Sequence, residues 1–223
     1  MSAPVRWAVF AGFLLFAVVA LWPLGRAGLG GTGIAARKVS GSIWRGRLEA
    51  VQIGGIDLGD VEGGLAPLSL LAGTVRAEFT GNRISGTLVK RRDGVAVAGL
   101  NGRIGPAQIG GVQISFVDFA MVDMAFAGGV CTQATGQIIL QPGGIASARD
   151  PLRGSPRCDG TGVTVSLASP SGPERLVVRG TPGRRYHAVL TLGAVNEAER
   201  AGLLATGFQP TPQGLALTIE GAF

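Results

Sequence analysis

Residues 112–126 read VQISFVDFAMVDMAF, a long apolar run interrupted by two aspartates. Wound as a helix, its apolar residues would be spread unevenly around the axis. Its β-branched residues also favour extended chain. Because successive side chains of a strand point to opposite faces, the run can be divided into two faces. These faces would carry Ile114, Phe116 and Asp118 on one side, and Val117, Phe119 and Met121 on the other. The run therefore predicts a long β-strand.

Shorter segments of the same kind lie on both sides of this run, with turn residues between them. The chain contains 38 glycines without a Gly-X-Y period, which suits many tight turns and excludes collagen. Arg92-Asp93-Gly94 is typical of a hairpin turn between two such segments. The segments that we interpret as strands are 39–43, 48–53, 75–79, 84–90, 95–100, 137–140, 162–167, 175–179, 186–192 and 215–220.

Helical signals are confined to two short stretches. Pro67–Leu71 is an apolar turn that starts with a proline, and 196–206 starts with an asparagine suited to capping a helix. The sequence therefore predicts a mainly β protein, with a curved antiparallel sheet or a two-layer β-sandwich and at most one or two short helices. Around 142–156 the density of Pro and Gly predicts a weakly structured stretch.

The amino terminus carries a candidate membrane anchor. Residues 7–24, WAVFAGFLLFAVVALWPL, contain no charge and are long enough to cross the hydrocarbon core as a helix. Trp7 and Trp22 lie at its ends, as is common at the membrane interface. A cleaved signal peptide is the alternative, but the small residues of a cleavage site are missing near Trp22-Pro23. We expect a signal-anchor helix at 1–24, a flexible Gly-rich spacer at 25–36 and a β-domain at 37–223.

Two cysteines, Cys131 and Cys158, have no spacing typical of a metal site. Behind a membrane anchor, an isolated pair favours one disulfide in an oxidising compartment. Two unpaired buried thiols in a cytosolic chain are the alternative. The disulfide would staple the weakly structured stretch between the two cysteines.

The formal net charge of +6 raises the question of nucleic-acid binding. The densest basic run is Lys90-Arg91-Arg92, and no aromatic residues alternate with it as they do in single-strand binders. We interpret the run as a solvated surface turn with weak attraction for anionic lipid headgroups. Nucleic acid is not an expected partner.

No motif of an enzyme is present in the sequence. The one histidine, His187, lies in a strand segment without thiolate or carboxylate partners at metal-ligand spacing. Asp118 and Asp123 form the best candidate for a catalytic carboxylate pair, which would suit a hydrolase. Such carboxylates more often lie on a solvent face or are hydrogen-bonded at a sheet edge, and we favour that interpretation. We expect no catalytic residue, no cofactor, no metal and no small-molecule substrate.

One stretch resembles a known family. Residues 40–47, SGSIWRGR, are similar to the Ser-Gly-Thr-aliphatic-Trp-x-Gly signature of the type II secretion system protein N family. The likeness continues through Leu58-Gly59 and then 65–73, LAPLSLLAG, and it extends to 81–89, 183–186 and 214–221. Where the family commonly carries a second tryptophan, this chain has Glu62-Gly63-Gly64.

The resemblance implies an accessory protein of the bacterial inner membrane, with its β-domain in the periplasm. Such a protein would support export of folded proteins across the outer membrane by contacting other components of the type II secretion system. It would need a membrane anchor, a spacer long enough to reach its partners and an exposed surface, rather than a reactive group. The motif residues expected to have a structural or interaction role are Ser40, Gly41, Trp44, Gly46 and Pro67.

A periplasmic β-domain that handles lipid or envelope components is the alternative function. Sheets with an apolar inner face and open edges suit lipid ligands. A long apolar groove would favour this alternative, whereas a filled core would favour the secretion role. The aromatic and sulfur side chains that would line such a groove are Phe116, Phe119, Met121 and Phe126.

Overall fold

A computed structural model describes residues 34–53, 56–109, 112–144, 149–181, 185–193 and 196–222. The expected signal-anchor helix at 1–24 and most of the spacer lie outside these ranges. Within them, neither helix has the length and hydropathy that crossing a bilayer requires. The described chain contains two short helices, α1 at Pro67–Leu71 and α2 at Glu197–Ala205, and is otherwise β-structure.

Sixteen strands make up the β-structure of the described ranges. In chain order they are β1 (Ile34–Ala35), β2 (Lys38–Gly41), β3 (Gly46–Ile53), β4 (Ile56–Leu65), β5 (Val75–Gly81), β6 (Ile84–Lys90), β7 (Gly94–Ile104), β8 (Ala107–Ile109), β9 (Val112–Ala127), β10 (Val130–Pro142), β11 (Leu152–Asp159), β12 (Gly162–Ala168), β13 (Arg175–Gly180), β14 (Arg185–Leu192), β15 (Gln209–Thr211) and β16 (Gly214–Ala222).

These strands form one antiparallel sheet, and nearly every strand pairs with its neighbour in sequence. The exceptions are short: β1 and β2 both pair with β3, β8 folds back on β9, and β15 pairs with β16 at the far edge. The antiparallel sheet is confirmed, whereas the two-layer sandwich is not the arrangement found. Because each strand returns beside the previous one, the sheet grows as a meander without a crossover to a second layer.

The apolar run at 112–126 forms β9, as predicted, but the predicted faces are partly wrong. β-Bulges insert an extra residue near Ser115 and at Met121, and each one shifts the alternation of side chains. Phe116 and Asp118 therefore share the outer face, while Ile114 lies on the inner face. The side chains that pack on the inner face are Ile114, Val117, Phe119, Val122 and Met124.

Five strands were not anticipated from sequence: the short β1, β8 and β15, and the longer β4 and β11. β4 is rich in glycine and acidic residues, which are poor strand formers, yet it pairs with both β3 and β5. β11 occupies part of the stretch expected to be weakly structured. Pro156 is tolerated there because it lies beyond the short ladder with β10, where β11 pairs with β12 alone.

The main core lies on the inner face of the carboxyl-terminal half, under α2. Leu152, Leu192 and Leu215 are each 1% exposed, and each contributes roughly 1.5–3 kcal/mol through burial. The buried members of this core are Ile114, Val122, Ile138, Leu140, Leu152, Leu167, Leu190, Leu192, Leu203, Phe208, Leu215 and Leu217. By contrast, Val51, Val61 and Ile84 are the buried apolar residues among the described parts of β3–β6.

A largely buried ion cluster fixes α2 against the sheet. Asn196 caps the helix by accepting a hydrogen bond from the backbone N–H of Glu199 (2.8 Å), which confirms the predicted cap. The guanidinium of Arg149 donates to the carboxylates of Glu199 (2.7 Å) and Glu174 (2.5 Å). All three side chains are at least 84% buried, so the cluster ties the helix to two connections of the sheet.

The predicted Cys131–Cys158 disulfide is present, with the two Cα atoms 5.4 Å apart. It joins β10 to β11 at a place where they are not otherwise paired, because their ladder runs from Ile138 opposite Gly154 to Leu140 opposite Leu152. Between the ladder and the disulfide β10 uses more residues than β11, and a bulge in β10 between Cys131 and Gln133 takes up part of the excess. The disulfide therefore closes a weak seam in the sheet.

Candidate interaction surface

Because the strands are antiparallel, their connections alternate between two ends of the sheet. We call one of them the motif end, since it carries the segment 42–45 between β2 and β3 and helix α1 between β4 and β5. The turns at 91–93 and 128–129 lie at the same end, joined by a hydrogen bond from the N–H of Gly128 to the carbonyl of Asp93 (2.7 Å). Helix α2 lies at the opposite end.

The segment 42–45 is a tight turn whose shape depends on a glycine. The N–H of Ser42 donates to the carbonyl of Arg45 (3.1 Å), and the N–H of Arg45 donates to the hydroxyl of Ser42 (3.3 Å). Gly41 precedes the turn with φ +84°, and a Cβ there would lie 2.5 Å from the carbonyl oxygen of Arg45. No other residue fits this position without moving the turn. Ser40 is held beside it, its hydroxyl donating to the carbonyl of Arg47 (3.5 Å).

The half-buried Trp44 lies in this turn, and its backbone is packed against β4. A Cβ on Gly64 would lie 1.9 Å from the carbonyl oxygen of Trp44. Gly46 is buried and pairs with Gly63, where a Cβ would lie 2.4 Å from the carbonyl of Glu78. The chain therefore approaches Gly63 and Gly64 too closely for a side chain at either position.

The two most distinctive sequence stretches meet in space. The N–H of Leu65 donates to the carbonyl of Ile43 (2.9 Å), which joins SGSIWRGR to LAPLSLLAG. Pro67 opens α1 in the first turn, where a missing N–H does no harm. Hydrogen bonds from the hydroxyl of Ser69 to the carbonyl of Ala66 (2.6 Å) and from the hydroxyl of Thr74 to the carbonyl of Ser69 (2.9 Å) fix the helix. The motif residues thus form one local structure at the motif end.

Helix α1 presents its leucines to solvent. Leu68 is 78% exposed and Leu71 is 86% exposed, and no residue of α1 is buried. Sequence reasoning identified this stretch but not the exposure, since an apolar turn next to a strand suggests a core element. Neither leucine stabilises the fold of the monomer through burial. Large apolar side chains that are exposed together mark sites of contact with a partner.

Apolar exposure continues from α1 onto the inner face of the neighbouring strands. Val75, Leu88 and Val95 are 41%, 42% and 38% exposed. The strand registers place all three on one face. Lys90 of β6 pairs with Val75 of β5 and with Val95 of β7. Leu88 of β6 pairs with Val97 of β7, which in turn pairs with Met124 beside the core. Among the described residues, no helix covers this part of the inner face as α2 covers the carboxyl-terminal half. Lys90, Arg91 and Arg92 form its charged rim, as expected for a surface turn, and have no ion pair among the described residues.

The candidate catalytic carboxylates have separate structural partners. Asp118 accepts two hydrogen bonds from Arg103 (2.5 and 2.7 Å), whose guanidinium lies 4.2 Å from the ring centre of Phe116. The hydrogen bond to Asp118 raises the pKa of Arg103 above its usual value. Asp123 accepts instead from the backbone N–H of Gly99 (2.6 Å). These contacts explain the two aspartates as parts of the sheet.

His187 and the expected groove residues do not form a site either. His187 lies 3.8 Å from Glu220 on the outer face of the carboxyl-terminal half. In the part of the chain that the structure describes, no three His, Cys, Asp or Glu side chains are grouped to hold a metal ion. Phe119 packs against the core, Phe116 lies on the opposite face, and Met121 is 64% exposed at its bulge. The groove that these side chains would line together is therefore not formed.

Comparisons with known proteins agree with the motif reading. No curated protein and no solved structure gives a significant match to this chain. The family model described as type II secretion system, protein N, matches residues 32–217. The matched range includes the 42–45 turn, helix α1, the disulfide and the core under α2. The chain therefore belongs to the type II secretion system protein N family and is a component of that system.

Proposed function

We propose that this protein is an accessory inner-membrane component of the type II secretion system, with its β-domain in the periplasm. It supports export of folded proteins across the outer membrane by contacting another component through the motif end. The observation that carries this proposal is the exposure of Leu68 and Leu71 on α1. Membership of the family supplies the secretion role, and the candidate membrane anchor at 7–24 supplies the attachment.

The course of the chain supports contact through the motif end. Ile34, the first described residue, pairs with Ile53 at the opposite end of β3 from the 42–45 turn. The eight residues of β3 span about 27 Å. The chain thus enters the sheet far from α1, so that an anchor before Ile34 leaves the leucines free to meet a partner.

Binding energy at protein interfaces is concentrated in a few large side chains at the centre of the contact. Leu68 and Leu71 suit this role, since a partner would remove both from water at no cost to the fold. Lys90, Arg91 and Arg92 suit a polar rim. A scaffold that acts by such contacts needs no reactive group, and we propose no catalytic activity.

Deletion followed by complementation tests the proposal in the source organism. Without the gene, we expect a secreted protein to accumulate in the periplasm, and the wild-type gene to restore export. The double variant Leu68→Ser/Leu71→Ser should fail to restore export although it folds and accumulates normally. Leu204→Ser is the matched control, because Leu204 is 40% exposed on α2 at the opposite end, and it should restore export fully. Full export by the double variant would exclude α1 as the contact.

Handling of lipid remains a second candidate because the inner face of β5–β7 is apolar and open. Val75, Leu88 and Val95 could cover one acyl chain, and their exposure is the observation that supports a lipid ligand. Deletion would then leave export normal and change the composition of envelope lipid. A Val95→Arg variant would reproduce that change, whereas the Leu68→Ser/Leu71→Ser variant would not.

A further inference from the structure

The outer face of β11–β13 carries a shallow cavity of about 660 Å³ beside Cys158 of the disulfide. Its floor consists of the small side chains Ser155, Thr164, Ser166 and Ala168, and its walls include Arg157 and Arg175. It lies on the other face of the sheet from the core and away from α1. The cavity is therefore independent of the proposed contact through the motif end.

Strand register creates the cavity from residues that are far apart in sequence. Arg157 is opposite Thr164, Ser155 is opposite Ser166, and Ala168 is opposite Arg175. Paired residues of a sheet project from the same face, so the three hydroxyls form a low centre between two long side chains. β11 and β13 are two strand spacings apart, and the arginines are offset along the strands, so their Cα atoms are about 16 Å apart. Two guanidinium groups can reach inward from that distance to a ligand of several atoms.

No described residue neutralises the positive charges of Arg157 and Arg175. Both are exposed, and neither has a hydrogen-bond or ion-pair partner among the residues that the structure describes. Arg179 differs, because it lies 3.9 Å from Asp159, which also accepts a hydrogen bond from the hydroxyl of Thr164 (3.0 Å). Asp159 thus already has Arg179 and Thr164 as partners, whereas Arg157 and Arg175 remain available to an anion.

We propose that this cavity binds a phosphate-bearing polar ligand, with Arg157 and Arg175 as the charged clamps and the hydroxyls of Ser155 and Ser166 as donors. Guanidinium groups match phosphate oxygens in geometry as well as charge. An acidic protein surface fits less well, because protein interfaces depend on aromatic and large apolar anchors and the one large apolar lining residue, Leu167, is 2% exposed. Phosphate is common to a phospholipid headgroup and to a soluble phosphate ester.

Titration calorimetry of the full chain in nonionic detergent tests the site, with inorganic pyrophosphate and soluble dihexanoyl phosphatidylglycerol as probes. We expect saturable binding of pyrophosphate that weakens about tenfold in Arg157→Gln and in Arg175→Gln, as befits the loss of one charge-assisted contact. Arg157→Lys keeps the charge without the planar fork and should weaken binding less. Arg200→Gln removes the same charge from α2, which lies over the other face of the sheet, and should bind like the wild type.

The two probes distinguish the sources of the phosphate. Competition between phosphatidylglycerol and pyrophosphate would support the site and identify a lipid headgroup, whereas binding of pyrophosphate alone would support the site and identify a soluble ester. Equal loss in Arg200→Gln would overturn the proposal, since it would show attraction to net charge alone. Absence of saturable binding, or binding of an acidic peptide in place of both probes, would overturn it as well.

Discussion

Asp123 of β9 accepts a hydrogen bond from the backbone N–H of Gly99 on β7, with 2.6 Å between the two atoms. On the same pair of strands Asn101 accepts one from the N–H of Met121 (2.8 Å). Both donors lie at β-bulges, where the extra residue is left out of the ladder. Each strand thus supplies a side-chain acceptor for the backbone N–H at the bulge of the other strand. The two bulges therefore stabilise each other.

Replacing Asp123 should therefore affect stability rather than any chemical activity. Asp123→Ala leaves the N–H of Gly99 without its acceptor and should lower the free energy of unfolding by about 1–3 kcal/mol. Asp123→Asn keeps an oxygen at the same place and should cost clearly less. Urea unfolding followed by circular dichroism measures both. Equal losses in the two variants would mean that charge, not the acceptor, matters at this position.

The Arg149 cluster gives a second prediction. Arg149→Met leaves the largely buried carboxylates of Glu174 and Glu199 without a cation and should destabilise the protein by about 2–4 kcal/mol, somewhat less than for a fully buried pair. Arg179→Met removes an exposed partner of Asp159 and should cost less than about 0.5 kcal/mol. The two denaturation midpoints can be compared directly. A similar small shift in both would show that α2 does not depend on this cluster.

Glycine at 41 should be harder to replace than glycine at 73. Both have positive φ, at +84° and +68°, but a Cβ on Gly73 meets no atom within 4 Å. Gly73→Ala should cost about 1–2 kcal/mol for the left-handed backbone alone. Gly41→Ala adds the clash with the carbonyl of Arg45 and should cost more. Thermal unfolding of the two variants measures the difference, and an equal cost would mean that the 42–45 turn adapts without strain.

The disulfide should contribute most of the stability of the seam between β10 and β11. The double variant Cys131→Ser/Cys158→Ser should lose about 3–4 kcal/mol, because the 27-residue separation then adds freedom to the unfolded chain. A reducing agent should destabilise the wild type by a similar amount and leave the double variant unchanged. If reduction has no effect on the wild type, the bond does not stabilise the seam.

Particular elements show where sequence reasoning succeeds. The period of two in 112–126 and the turn residues around it are local signals, so the identity of β9, the short helices and the hairpin at 92–94 followed from them. The motif at 40–47 identified the family for the same reason, because a tight turn with a required glycine leaves a recognisable pattern. Two cysteines without metal-like spacing were enough to suggest their pairing.

Other features were fixed only when distant strands came together. A bulge adds one residue without a clear local pattern, so the sequence did not show that Phe116 and Ile114 point to opposite faces. The exposure of Leu68 and Leu71 depends on what covers α1. The placement of Arg157 and Arg175 around one cavity depends on the register of three strands. The alternation of side chains along a strand can be predicted from neighbouring residues. Burial and the proximity of side chains depend instead on contacts between residues far apart in the chain.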